Sequence, residues 1–331
     1  MKRFLSLLVI FCLALFVSAP VFAASQDRYD LPEPYLAWEK AYLKKFPDLQ
    51  PVMDAMLDIT AQQLKAPEQD ILHNRICSAL VYKMAVDNAL SPGQQRLAVA
   101  GDLLHNISKE QKDSVLTDLF LLKKADLMIA NLRAAGYLTK SPAFWRDRTV
   151  FVDPQIGANR SLIHHITGAV MAEQILKKIG GFSDADIQQL QDGILEHSTG
   201  YWYFRASVNE VAGKSDAWAN VYPITDSMLS KIIHDADLIS QFAPESVVPE
   251  GSKWRVLAQK RWGATTVQEE AQIVYYVFKL LYDEAKTEAG KRLAREKWEQ
   301  IAPPLVQLMG LKPGQDPIKE LGVPKIFAKT L

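Results

Sequence analysis

The chain has 331 residues with 38 basic and 38 acidic side chains, so its formal net charge is zero. That balance removes the electrostatic case for a nucleic-acid polymer or an anionic membrane as partner. The length is ample for a large buried core, with a prior of one large domain or two ordinary ones.

The N-terminus reads as a cleaved secretory signal. Lys2 and Arg3 form a short positive region, and an uncharged apolar run follows from Phe4 to Val17. Ser18-Ala19-Pro20 and Val21-Phe22-Ala23 then give an ending suited to signal peptidase. The run is short of the ~20 apolar residues that span a bilayer. Cleavage is expected near Ala23, which makes the product periplasmic or secreted, with no membrane attachment afterwards. Loss of Lys2 and Arg3 takes the formal charge to −2, and Cys77 becomes the only cysteine. No internal disulfide is then possible.

Beyond the signal, nearly every segment has helical periodicity. Apolar positions at helical spacing run through residues 35–66, with a break near Phe46-Pro47. A second stretch covers 68–90, and Ser91-Pro92 opens a third that runs through Leu97 to Ile107. Another covers about 110–135. Residues 140–160 read as an irregular connection with room for one short strand. Helices resume at 161–179 and 183–198, separated by Gly180-Gly181, with Ser183 as the N-cap of the second. A stretch crowded with Tyr201, Trp202, Tyr203, Phe204, Trp218 and Tyr222 precedes helices at 226–241, 266–287 and 288–310. The fold class is all-α. The chain divides into a signal (1–23), N-terminal helices (24–64), a central helical domain (65–245) and a C-terminal helical extension packed on it (246–331).

Six histidines lie between residues 73 and 234, each on or beside a predicted helix. One histidine on an apolar helix face is ordinarily a core residue. Several on different helices, each near the buried face, point to a metal, because imidazole and carboxylate ligands projecting from facing helices build such sites. His73 heads a stripe with Ile76, Cys77, Leu80 and Met84, which suggests that Cys77 is simply buried. His105 lies above Ala98, Gly101 and Asp102, and His197 continues the face of Ile187, Leu190 and Ile194.

The order of these residues resembles the HD superfamily of metal-dependent phosphohydrolases. Ile71-Leu72-His73-Asn74-Arg75-Ile76 is similar to the family's first-histidine helix. Gly101-Asp102-Leu103-Leu104-His105-Asn106-Ile107-Ser108-Lys109 resembles its hallmark His-Asp segment. His164-His165-Ile166-Thr167-Gly168 and Gly193-Ile194-Leu195-Glu196-His197 resemble the third and fourth histidines of the branch that degrades cyclic dinucleotides. Ile232-Ile233-His234-Asp235-Ala236-Asp237-Leu238 resembles the closing Asp-Ala-Asp element. The resemblance covers roughly residues 65–245 and implies an HD-like helical bundle.

It also implies a ligand set of His73, His105, His197 and Asp237. Either His164 or His165 would join them, and one of Asp235 and Asp237 would bind, Asp237 fitting the family pattern better. Asn106 stands where the family has a ligating aspartate, and Gly200-Tyr201-Trp202 lacks the proline of the branch's Gly-Tyr-Pro signature. The implied cofactor is a divalent transition metal (Fe, Mn, Zn or Ni), as one or two ions, or none if the Asn106 site is defunct. Lys109 and Asp237 would act in catalysis, and Arg75, Lys109 and Arg160 would hold phosphate oxygens. The aromatic stretch 201–222 could wall a cleft. The implied partner is a small phosphorylated molecule or nucleotide, hydrolysed by a metal-activated water. The alternative is a catalytically inactive HD-fold module that binds a metal or ligand.

Overall fold

The apolar spacing becomes helix almost throughout the computed structural model, which describes residues 30–64, 66–109, 119–135, 151–153, 158–160, 164–197 and 226–327. The segment expected to be a signal, residues 1–23, the Gly200-Tyr201-Trp202 stretch and the aromatic residues 201–222 lie outside the described residues. Helix α1 (Tyr35–Lys45) leads through a short 3-10 turn (Pro47–Leu49) into α2 (Gln50–Gln63). The break falls at Phe46-Pro47 because proline has no N–H for the helix ladder. Helices α3 (Pro67–Asp87) and α4 (Pro92–Leu104) each begin on proline, where the missing N–H would be unsatisfied anyway. Ser91 caps α4 through a reciprocal pair with Gln94.

Helices α5 (Leu119–Ala134), α6 (His164–Ile179) and α7 (Asp184–Glu196) follow. Ser183 caps α7 through a second reciprocal pair, with Asp186. Between α5 and α6 the backbone forms two short strands rather than one. β1 (Phe151–Asp153) and β2 (Ala158–Arg160) pair antiparallel, with Phe151 opposite Arg160. Helix α8 (Met228–Ser240) is capped by Ser227.

The region 242–265, left without a helix by the sequence reading, contains α9 (Pro244–Val247) and α10 (Lys253–Trp262). Lys253, Arg255, Lys260 and Arg261 dilute the apolar period of α10, yet Trp254 and Trp262 are both buried. The chain ends with α11 (Val267–Asp283), α12 (Glu288–Leu308) and α13 (Pro317–Leu321). Among the described residues no helix is long and apolar enough to cross a membrane.

Helices α3, α4, α6, α7 and α8 pack on one another and form the centre. Helices α1 and α2 lie against α3, while α12 packs against α11 and α8. Two glycines let α4 and α7 approach α8 closely. A Cβ on Gly101 would come 2.8 Å from Leu190 and 3.0 Å from Ile233, and one on Gly193 would come 2.7 Å from Ile233. One helical turn beyond each glycine stands a histidine, His105 and His197, so the close approach brings the two imidazoles together.

A buried ion pair ties α1 to α3. Arg75 donates through Nε and Nη2 to the two carboxylate oxygens of Glu39, at 2.8 and 2.6 Å. Both side chains are nearly water-free. Removing one partner strands the other's charge in the core. Glu39→Ala is therefore expected to lower the unfolding free energy by about 3–5 kcal/mol, measured by urea titration, with Glu39→Gln losing less.

Candidate metal centre

His105 and His197 occupy equivalent positions in different helices. Each is the C-terminal cap of its helix, α4 and α7 respectively. The last carbonyls of a helix have no intrahelical partner. Each imidazole donates through Nδ1 to a carbonyl of the last turn, His105 to Asp102, whose oxygen also accepts the His105 backbone N–H at 3.2 Å, and His197 to Ile194, both Nδ1 contacts at 2.5 Å. With the proton committed to Nδ1, Nε2 is left as the acceptor nitrogen, the tautomer that binds a metal. The two rings stand 4.9 Å apart, edge to face. His197 Nε2 has no hydrogen-bond partner, although the residue is completely buried. Both helix ends also present their negative dipole poles here, which favours a cation.

His73 on α3 and Asp237 on α8 complete the centre. His73 Nε2 lies 3.0 Å from Asp237 Oδ1, and His105 Nε2 lies 3.9 Å from the same oxygen. The rings of His73 and His105 are 5.5 Å apart. Cys77, one turn after His73, places Sγ 3.7 Å from His73 Nε2. Donor atoms of His73, Cys77, His105 and Asp237 all lie within 4.8 Å of one another. This buried His/Cys/His/Asp group could hold a metal ion.

The ionisation of the group follows from its burial. Removal from water lowers His73 to about 4, with Lys109 and His105 adding to the effect against the pull of Asp237. Burial alone would raise Asp237, but the contacts with His105 and His73 hold it well below the usual carboxylate range. Burial alone would lower His105, but the Asp102 and Asp237 carboxylates hold it above its ordinary value. Asp102 is itself pushed up to about 7 by burial, against the lowering influence of His105 and of Ser78, whose hydroxyl donates to it at 2.9 Å. Burial raises the Cys77 thiol, and the nearby Asp102 and Asp237 raise it further.

The remaining residues singled out by the sequence separate clearly. Asn106 sits beside the centre, where its Nδ2 donates to His105 Nε2 at 2.7 Å and its Oδ1 has no partner. His164, at the start of α6, stands 5.3 Å ring to ring from His197, and the His165 ring lies 5.7 Å from that of His164. Both are buried. Lys109, in the turn after α4, is half-buried and close enough to influence His73 and Cys77. Arg160 belongs to β2, and its side chain lies outside the described residues.

Two assignments need correction. Arg75 does not face the centre as a phosphate ligand, because its guanidinium is committed to Glu39. Asp235 is a structural cap rather than a metal ligand. Its carboxylate accepts from the backbone N–H groups of Lys286 and Thr287, both at 2.8 Å, and from the Thr287 hydroxyl at 2.7 Å. It thereby fastens the start of α12 to α8, and it fills the space over Gly290. The sequence reading also passed over two contributors, Cys77 as a donor and Asp102 as the buried carboxylate behind His105. Their signals were the four-residue and three-residue spacings to His73 and His105.

Comparison with protein-family models, with curated proteins and with solved structures finds no match.

The two aspartates of α8 should behave differently on mutation. Asp235→Ala leaves buried donors unpaired at about 1–3 kcal/mol each, and the loss should appear in urea unfolding while metal uptake is retained. Asp237→Ala should abolish metal uptake instead. The pH dependence has a definite sign. His73, His165, His197 and His234 are all lowered, with burial the largest cause in each, and His165 falls to about 3. Between pH 6.5 and 4 they therefore protonate in the unfolded chain before the folded one, and stability falls as pH falls. Asp102, His105, Asp58 and Asp192 are raised and act in the opposite direction, but only Asp102 among them shifts as far as His73, His165 and His197 do. The chelator-treated protein should lose stability on going from pH 7.5 to pH 5. The slope should be about 1.4 kcal/mol per pH unit for each net proton, read from urea midpoints.

Proposed function

We propose that the chain is an exported metal-dependent phosphohydrolase of the HD type, acting on a small phosphoester or nucleotide. The observation that carries this reading is the convergence of His73, His105, Asn106, His197 and Asp237 from α3, α4, α7 and α8, in the chain order the resemblance requires. An orphaned imidazole nitrogen on His197 and an orphaned amide oxygen on Asn106, both fully buried, support a site shaped for an ion. His73, His105 and Asp237 would hold it, with the His197 ring 4.9 Å from that of His105.

A divalent ion held there would supply Lewis acidity, lowering the pKa of a bound water and polarising a phosphoryl oxygen. The chain's own residues do the remaining work. The Asp102 and Ile194 carbonyls fix the tautomers of His105 and His197. Lys109, half-buried and near His73, would donate to phosphate oxygens as a compact positive charge. Apolar neighbours on α4, α7 and α8 exclude bulk water from behind the histidines.

A second reading is favoured by Asn106. An amide brings no charge and cannot bridge two ions as a carboxylate does, which suits an HD-fold module that binds a metal or ligand without turnover.

Elemental analysis of the protein purified without chelator tests both readings. One or two equivalents of a transition metal, lost in His105→Ala, together with phosphoesterase turnover, support the hydrolase. Metal without turnover supports the binding module, and Asn106→Asp should then increase the metal bound. A folded protein that holds no metal and takes up none rejects the hydrolase and leaves only a module that binds a ligand other than a metal.

A further inference from the structure

The donor set of the centre contains one group that the HD resemblance does not supply. Cys77 is fully buried in the middle of α3, four residues after His73 and on the same face. A cysteine buried only for packing needs apolar neighbours. This one lies against His73 at 3.7 Å and within 4.8 Å of donor atoms on His105 and Asp237. Resting on the reading that this cluster binds a metal, we infer that Cys77 is a sulfur ligand and that the site therefore takes a thiophilic divalent ion, zinc foremost.

The separations support this set. An ion with tetrahedral ligands at about 2.0–2.3 Å spaces its donors about 3.3–3.6 Å apart. The donor atoms stand 3.0 Å apart for His73 and Asp237, 3.7 Å for His73 and Cys77, and 3.9 Å for His105 and Asp237. These values bracket the tetrahedral edge, and no donor pair of the set exceeds 4.8 Å, so closure around an ion needs shifts of about an ångström at most. The set comprises two imidazoles, one thiolate and one carboxylate. Thiolate is a soft donor that favours zinc over manganese or magnesium, which prefer oxygen. A helical His-x-x-x-Cys pair on a rigid element also fixes the bite of the two ligands before the other helices close on them.

Cobalt(II) is the probe, because thiolate ligation gives it a near-ultraviolet charge-transfer band that nitrogen and oxygen ligands do not. The chain has one other cysteine, Cys12, so the full-length protein is titrated with cobalt(II) as native chain, as Cys12→Ser and as Cys77→Ser. The inference expects the band in the first two and its loss in Cys77→Ser, with visible ligand-field bands retained. Loss of a supporting partner alone weakens metal binding by about 10–100-fold, so Cys77→Ser should weaken zinc by at least about tenfold. It should also narrow the preference for zinc over manganese. Ligand-field bands without the charge-transfer band in the native chain overturn sulfur ligation and leave the metal reading standing. No cobalt bound at all overturns the metal reading itself. Because the native chain decides the matter, a Cys77→Ser variant that fails to fold leaves the test intact.

Discussion

A single buried carboxylate, Asp237, organises the centre of this protein. Placing it in the core is unfavourable unless positive or hydrogen-bonding partners surround it. His73 from α3 and His105 from the end of α4 supply them, so three helices must meet in one register. The glycines at 101 and 193 make that meeting possible, because larger residues would press on Leu190 and Ile233. The arrangement concentrates polar atoms that the protein alone does not fully satisfy. Asp102 Oδ1, Asn106 Oδ1 and His197 Nε2 are all buried without a hydrogen bond. Folded proteins tolerate such a cluster mainly where a ligand or function uses it.

Much of this was legible in the sequence, for reasons that also explain what was not. Helical period and cap chemistry are local, so Ser91, Ser183 and the break at Phe46-Pro47 were readable directly. The inward faces of His73, His105 and His197 followed from the same period. Asp235 and Asp237 illustrate the limit. Two residues apart on a helix, they point in different directions, and the period cannot say which direction holds the centre. The answer depends on Lys286 and Thr287, some fifty residues away. Arg75 is similar, since its partner Glu39 lies on a helix the motif does not include. Cys77 was placed on the right face but taken only as a hydrophobe, because burial and ligation use the same face.

The electrostatics are arranged in two tiers. Outside the centre, two buried guanidiniums are each paired with a carboxylate: Arg75 with Glu39, and Arg255 with Glu270 at 2.8 Å. Inside it, His73 and His197 are held neutral by burial, while contact holds Asp237 ionised. The first tier fixes how the outer helices sit, and the second leaves the centre receptive to a cation. Stability and receptivity are thus assigned to different residues, which is why Asp235 and Asp237 can differ in role while sharing a helix.

His105 and His197 each take their orientation from a carbonyl three residues earlier in their own helix. Their aim is thus written in a stretch of four residues and needs no help from the rest of the chain. Each helix with its terminal histidine is a portable unit. An insertion in a connecting loop could change which helices meet without changing how either imidazole points.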